Sequence, residues 1–226
     1  MRKRFMKAFQ LTVSRIRALR RIAPILWLLI LGAGVFFGTG SRKLAAAERP
    51  PCCRELKPGT AFTDGSLYQL DSEWTSDVGR KVKLGVFVGR PQVVAMFFTR
   101  CEFTCPVTVS DLQRIEAALP REARERVDFL LVSFDSQRDT AEILRAYRQS
   151  RKLPEAHWSL LRGEADDVRE LAALLGVNYK QDARGQFAHS NIITLLNGKG
   201  EIAHQQRGLN QPTAGFVSAI EQTLKD

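Results

Sequence analysis

Two short apolar runs near the middle of the chain predict buried β-strands. They span residues 93–98 (VVAMFF) and 127–134 (VDFLLVSF), and runs of this length and composition are typical of strands covered on both faces. Helical spacing of apolar residues appears at 109–119, 141–151 and 166–175. Because strands alternate with helices here, we expect the strands to pair in parallel through right-handed crossovers.

The last third of the chain has a different pattern. Residues 191–196 (NIITLL) and 201–205 flank the sequence NGKG, which predicts an antiparallel hairpin, and a last helix is predicted over 213–224. Parallel strands with helices, then a hairpin and a closing helix, follow the order of a thioredoxin-like α/β fold. We therefore expect a three-layer sandwich, a mixed sheet with flanking helices. Segments 65–70 and 82–88 are predicted to add an N-terminal hairpin.

The net charge of +10 comes from the first part of the chain. Residues 1–47 contain ten of the 34 Lys and Arg residues and no acid, so the other 24 bases balance all 24 Asp and Glu residues. Nucleic-acid binding depends on clustered bases that neutralise phosphates. A neutral body therefore argues against a nucleic-acid partner.

An uncharged run of nineteen residues, 22–40 (IAPILWLLILGAGVFFGTG), follows the basic leader and predicts a transmembrane anchor. Eight bases precede the run and two follow it directly, so the positive-inside rule places the N-terminus in the cytoplasm and the rest outside, in the periplasm or its equivalent. Ala45, Ala46 and Ala47 also form an A-x-A cleavage site. An uncleaved anchor is favoured, and a cleaved signal is the alternative.

The chain therefore divides into four parts. A basic cytoplasmic leader (1–21) precedes the anchor (22–40), a Pro-containing linker (41–57) follows it, and the folded domain occupies 58–226. The linker contains adjacent cysteines, Cys52 and Cys53. We expect them to be incidental; the alternatives are copper uptake or an intermolecular disulfide.

The candidate chemistry lies where the first buried strand ends, in residues 99–106 (TRCEFTCP). Cys101 and Cys105 are expected in the first turn of the following helix, on one face. The positive end of that helix, together with Arg100, favours thiolates. Such a pair has two possible uses, a disulfide or the binding of one metal ion.

A metal site needs a third donor, and the chain has three histidines, His157, His189 and His204. In a thioredoxin-like sandwich the loop before the 191–196 strand approaches the first strand–helix junction, so His189 is the candidate. Two thiolates and one imidazole suit copper, whereas zinc prefers a fourth donor. The alternative for His189 is a solvated side chain with no site role.

Three runs, RPQVVAMFFTRCEFTCP, LLVSFDSQRDTAEILRAY and FAHSNIITLLNGKGEI, resemble the Sco/SenC family of thioredoxin-like copper chaperones. Members of that family are membrane-tethered and deliver copper to the CuA centre of cytochrome c oxidase. The resemblance implies copper ligands at Cys101, Cys105 and His189 and a supporting acid at Asp135. It also implies a copper-receiving partner, such as cytochrome c oxidase subunit II or another copper chaperone.

The sequence departs from the family pattern at two positions, with Ser136 where members usually have Pro and Ala188 where they usually have Asp. Both changes concern the surroundings of the ligands. Asp135 also has a structural alternative as a turn residue, next to a segment (139–142) that resembles a capping box. The runner-up function is thiol–disulfide exchange by the cysteine pair, which would not require His189.

Overall fold

The computed structural model describes residues 61–226. Its strands are β1 (Trp74–Ser76), β2 (Lys81–Val82), β3 (Gln92–Phe97), β4 (Asp128–Ser133), β5 (Trp158–Arg162), β6 (Tyr179–Gln181), β7 (Phe187–His189), β8 (Ile192–Leu196) and β9 (Ile202–Arg207). Its helices are α1 (Thr104–Ala118), α2 (Arg121–Arg124), α3 (Ala141–Arg151), α4 (Ala165–Leu174) and α5 (Ala214–Thr223), with 3-10 helices at Leu67–Gln69 and Leu84–Phe87.

Seven strands form one mixed sheet in the order β2-β1-β5-β4-β3-β8-β9. The central strands β5, β4 and β3 are parallel, and β1, β8 and the outer strands pair antiparallel. Helix α1 packs against β3 and α5, while α3 packs against β5. The predicted mixed sheet with flanking helices is therefore confirmed.

The centre of the sheet is covered on both faces. Every residue of β3 and β4 is buried, which a sheet achieves only when helices or loops cover both sides. The two strands pair in register from Gln92 beside Asp128 to Phe97 beside Ser133. Their carboxyl ends therefore meet at one edge of the sheet, which is where open α/β folds place their sites.

The hairpin predicted after residue 191 is confirmed as β8 and β9. Its turn closes with Gly200, whose φ of +84° and contact with the Tyr68 ring leave no room for a side chain. The predicted α3 has the expected bounds, and α5 differs from its expected bounds by one residue at each end.

Two predictions about strands were wrong. The N-terminal hairpin consists of β1 and β2, whereas segment 65–70 contains a 3-10 turn that Ser66 caps by accepting from the Tyr68 N–H, and 82–88 is largely a second 3-10 turn. A third parallel strand, β5, was not predicted. Its sequence WSLLR has no β-branched residue, and its place in the sheet comes from burial beside β4.

Residues 1–60, which include the predicted leader, the anchor and the whole linker with Cys52 and Cys53, lie outside the described part of the chain. None of the helices within residues 61–226 has both the length and the hydropathy of a membrane span.

Candidate metal centre

The two cysteines lie at the junction between β3 and α1, but only one of them is in the helix. Cys105 is the second residue of α1, whereas Cys101 lies in the turn that precedes it, where its N–H donates to the Phe98 carbonyl. The prediction that both sulfurs lie in the first helical turn was wrong, because the chain uses residues 99–103 to change direction from strand to helix. The sulfurs still come together, since the Cys105 N–H donates to Cys101 Sγ at 3.3 Å.

The two thiols differ in burial and therefore in acidity. Cys101 is half-buried; burial opposes its ionisation, but the hydrogen bonds that Thr104 and the backbone and side chain of Cys105 can donate to its thiolate outweigh burial and lower its pKa. Cys105 is fully buried, and burial raises the pKa of its thiol far above the ordinary value. The expectation that both cysteines favour the thiolate therefore holds for Cys101 alone.

His189 is the last residue of β7 and faces the cysteine pair. Its Nδ1 donates to the Ser190 carbonyl at 3.1 Å, because a carbonyl can only accept. The neutral ring then presents the lone pair of Nε2, which lies 3.6 Å from Cys105 Sγ and 3.2 Å from Thr104 Oγ1. Burial lowers the pKa of His189, which favours this neutral form.

Aromatic rings hold the histidine in place. Its ring centroid lies 5.0 Å from that of Phe134, at the end of β4, and 6.5 Å from that of Phe98, at the end of β3. Phe187 of β7 contacts both phenylalanines, and Tyr179 of β6 packs on Phe134. The β6–β7 hairpin is thus attached by its aromatic side to the carboxyl ends of the two central strands.

Three possible ligand atoms converge at this point. The two sulfurs and one imidazole nitrogen of Cys101, Cys105 and His189 all lie within 4.8 Å of one another. Within the part of the chain that the structure describes, no other group of three His, Cys, Asp or Glu residues has this geometry. His157 instead contacts Asp128, and His204 packs on Phe216.

Asp135 is not among the groups that touch the three side chains. It is 2% exposed and forms an ion pair with Arg138 at 2.5 Å. The Arg138 guanidinium also donates to the carbonyl of Gly185, in the turn of the β6–β7 hairpin. Asp135 therefore reaches the site indirectly, through an arginine that holds the hairpin carrying His189.

Asp139 also supports the site, although no site role was predicted for it. It is fully buried beside Thr99, where the turn that carries Cys101 begins. Its carboxylate accepts from the Thr99 N–H at 3.1 Å and from the hydroxyls of Thr99 and Ser133, so it ties the ends of β3 and β4 together. Burial raises the pKa of this carboxyl. The helix cap is Thr140, which accepts from the Ile143 N–H. The one signal in the sequence for this role of Asp139 was Thr99, a polar residue that follows the buried strand β3.

A family model described as SCO1/SenC matches residues 63–225, almost the whole of the described chain. This chain belongs to the SCO1/SenC family. A curated relative from Stutzerimonas stutzeri, named "Putative copper-binding protein", is 28% identical over 118 residues, which cover 50% of this chain and 56% of the relative.

Solved structures of other SCO1/SenC proteins share the fold. A SCO1/SenC family lipoprotein from Bacillus anthracis has a TM-score of 0.63 at 20% identity, with 73% of this chain and 99% of that chain covered. Copper-bound yeast Sco1 has a TM-score of 0.58 at 19% identity, with 69% and 87% covered. Copper-bound ScoI from Arabidopsis thaliana has a TM-score of 0.59 at 17% identity, with 68% and 96% covered.

Proposed function

We propose that this protein binds copper through Cys101, Cys105 and His189 and transfers it to a receiving protein outside the cytoplasm. The observation that carries the proposal is the convergence of two sulfurs and one imidazole nitrogen within 4.8 Å. Copper is the cargo in this proposal, and the protein is a metallochaperone rather than an enzyme.

The chemistry of the donors fits copper. Thiolate sulfur is a soft ligand that suits Cu(I), and a neutral imidazole helps to hold Cu(II). His189 already presents the lone pair of Nε2, since Nδ1 carries the proton. Cys105 would have to lose its proton when the metal binds, so copper uptake would release a proton from a buried thiol. A set of three donors leaves room for a ligand from the receiving protein.

The anchor predicted at 22–40 supports a transfer outside the cytoplasm. A retained anchor at 22–40 would hold the domain at the outer face of the membrane, where the receiving protein must also present its copper site. The named relatives include a lipoprotein and copper-bound Sco proteins. We propose the CuA site of cytochrome c oxidase subunit II as the acceptor, with another copper chaperone as the alternative.

The test is a copper titration of the reduced chain in which each ligand is replaced separately. Cys101→Ser and Cys105→Ser should abolish stoichiometric binding and the sulfur-to-copper charge-transfer band. His189→Ala should weaken binding by about tenfold to 100-fold, with Cu(II) affected most. The matched controls are His204→Ala, a histidine outside the cluster, and the double variant Cys52→Ser with Cys53→Ser; both should keep one copper per chain.

The result that would overturn the assignment is loss of all copper in the Cys52 and Cys53 double variant with retention in the Cys101 and Cys105 variants. Each variant should first show an unchanged thermal unfolding transition without metal, so that a loss of binding is not a loss of folding.

A second candidate is thiol–disulfide exchange, favoured by the difference between the two thiols. A half-buried sulfur with a lowered pKa beside a fully buried one with a raised pKa is the arrangement of an attacking and a resolving cysteine. This chemistry does not need His189. Wild-type copper affinity together with retained disulfide reductase activity in His189→Ala would therefore favour the reductase over the chaperone.

A further inference from the structure

Thr104 is the first residue of α1, and its side chain lies between the site residues. Its hydroxyl oxygen is 3.2 Å from His189 Nε2 and 3.4 Å from Cys101 Sγ. The backbone fixes this position, because α1 continues directly into Cys105, whose N–H donates to the same Cys101 sulfur. A single hydroxyl therefore bridges two of the three possible ligands, and Thr104 itself is 85 residues from His189 in the chain.

The hydrogen-bonding capacity of each group fixes the direction of the bonds in the metal-free dithiol. Nδ1 of His189 donates to Ser190, so Nε2 has no proton and can only accept. The Thr104 hydroxyl therefore donates to Nε2, and its oxygen accepts the S–H of Cys101. These hydrogen bonds hold the imidazole with Nε2 on the side of the sulfur pair, its lone pair occupied by the hydroxyl proton until a metal replaces it.

We propose that Thr104 is a positioning residue of the metal centre: its hydroxyl orients His189 before the metal arrives and donates to the Cys101 sulfur once the site is loaded. The second role rests on the proposed copper function. A metal on Nε2 occupies the lone pair that received the hydroxyl proton, while a ligating thiolate keeps further lone pairs. The hydroxyl is already within reach of that sulfur.

Such a bond has two physical effects. It reduces the freedom of the His189 ring before binding, which lowers the cost of ordering the ligand. It also withdraws electron density from the thiolate, and hydrogen bonds around a copper-bound sulfur are one of the ways in which proteins tune the potential of the metal.

The first experiment uses the reduced, metal-free protein and imidazole 15N NMR. The chain has only three histidines, so His157 and His204 serve as internal references. Thr104→Val removes the hydroxyl with little change in shape, and it should shift His189 Nε2 to higher frequency, toward an imidazole nitrogen that accepts no hydrogen bond. Thr104→Ser, which keeps the hydroxyl, should retain the wild-type position.

The matched control is Thr108→Val, one turn further along the same helix. The Thr108 hydroxyl donates to the Thr104 carbonyl at 3.1 Å, so this variant loses a buried threonine hydroxyl that does not contact His189. It should leave the His189 resonances unchanged.

The second experiment measures copper affinity by competition with a chelator, together with the charge-transfer band. Thr104→Val should bind copper about tenfold more weakly, with the band at longer wavelength because the sulfur has lost a hydrogen bond. Thr104→Ser and Thr108→Val should behave as wild type.

An unchanged His189 spectrum in Thr104→Val, or an equal defect in Thr104→Ser, would overturn the assignment of Thr104. If wild type itself binds no copper, the proposed function fails, and the metal-free spectrum still decides whether the hydroxyl positions the histidine.

Discussion

The two halves of the site are held by different means. Cys105 belongs to the hydrophobic core, 0% exposed, and the turn before it is fixed by the buried Asp139 to the ends of two fully buried strands. His189 lies on a hairpin of two three-residue strands that form a separate sheet. The residues of these two strands are exposed or half-buried, and they are attached through aromatic contacts with Phe98 and Phe134 and through one arginine.

The difference suggests which half of the proposed copper site would open during transfer. A sulfur pair built into the core opens only when much of the domain unfolds, whereas a short, exposed hairpin with few buried contacts opens at a lower free energy. We therefore expect the third donor to be the one that moves. Copper would then remain on the sulfurs while a ligand of the receiving protein replaces His189.

The largest effect should come from the core half, in Asp139→Ala. Without the carboxylate, the N–H and hydroxyl of half-buried Thr99 and the hydroxyl of buried Ser133 lose their acceptor, and the free energy of unfolding should fall by about 2–4 kcal/mol. Denaturant unfolding of the metal-free protein measures the loss.

The control for this variant is Asp182→Ala in the hairpin. Asp182 accepts from the backbone N–H groups of Arg184 and Gln186, both at 2.9 Å, but it is exposed to water. Its loss should change global unfolding far less than the loss of Asp139. Equal losses of unfolding free energy would mean that the hairpin is attached to the core as firmly as the cysteine turn, and the two halves of the site would not differ in stability.

Arg138 pairs with Asp135 and donates to the Gly185 carbonyl, and we call this pair of contacts the Arg138 clamp. Removing the clamp should have a smaller effect, confined to the hairpin. Arg138→Ala alone would leave Asp135 as an unpaired buried charge, so the informative variant combines Arg138→Met with Asp135→Asn. The hairpin amide of Ser190, which donates to the Asn178 carbonyl, should exchange with solvent about tenfold faster, because a hydrogen bond from a charged group contributes about 1.5 kcal/mol.

Arg184→Ala is the matched control for the clamp, since Arg184 lies in the same hairpin turn and forms its ion pair with the exposed Asp182 instead of with Asp135. Its exchange rates should equal those of wild type. Fast exchange of the β3 and β4 amides in the clamp variant would show that the change spreads into the core, and the two halves would not be separable.

The sequence alone predicted the half of the site that belongs to regular structure. The buried strands, α3 and the β8–β9 hairpin all follow from apolar patterning, and the fold they define brings Cys101, Cys105 and His189 together. The role of these three as ligands stays a prediction. The acidity difference between the cysteines was missed because it depends on burial of Cys105, which the i and i+4 spacing does not reveal.

The hairpin half was less predictable, for a physical reason. Strands β6 (YKQ) and β7 (FAH) are short and show no apolar alternation, so they form through contacts with Phe134 and Phe98 rather than through local preference. Asp135 and Asp139 both follow the same buried strand. Both are buried, but only Asp139 accepts hydrogen bonds from Thr99, which follows the neighbouring strand, and no local pattern encodes this tertiary contact.

The smallest effect is expected at Gly185, and it isolates the contact between the hairpin turn and the clamp. Gly185 has a φ of +77°, and a Cβ there would lie 2.5 Å from Arg138 Nη1, whereas Gly79 has a φ of +82° with open space around it. Gly185→Ala and Gly79→Ala should therefore lose a similar free energy of unfolding, about 1 kcal/mol, from the left-handed backbone alone. Only Gly185→Ala should also speed hairpin exchange, because the displaced guanidinium loses its bond to the Gly185 carbonyl. In the Arg138→Met, Asp135→Asn background that additional acceleration should disappear, and its persistence would show that the arginine does not restrain the hairpin.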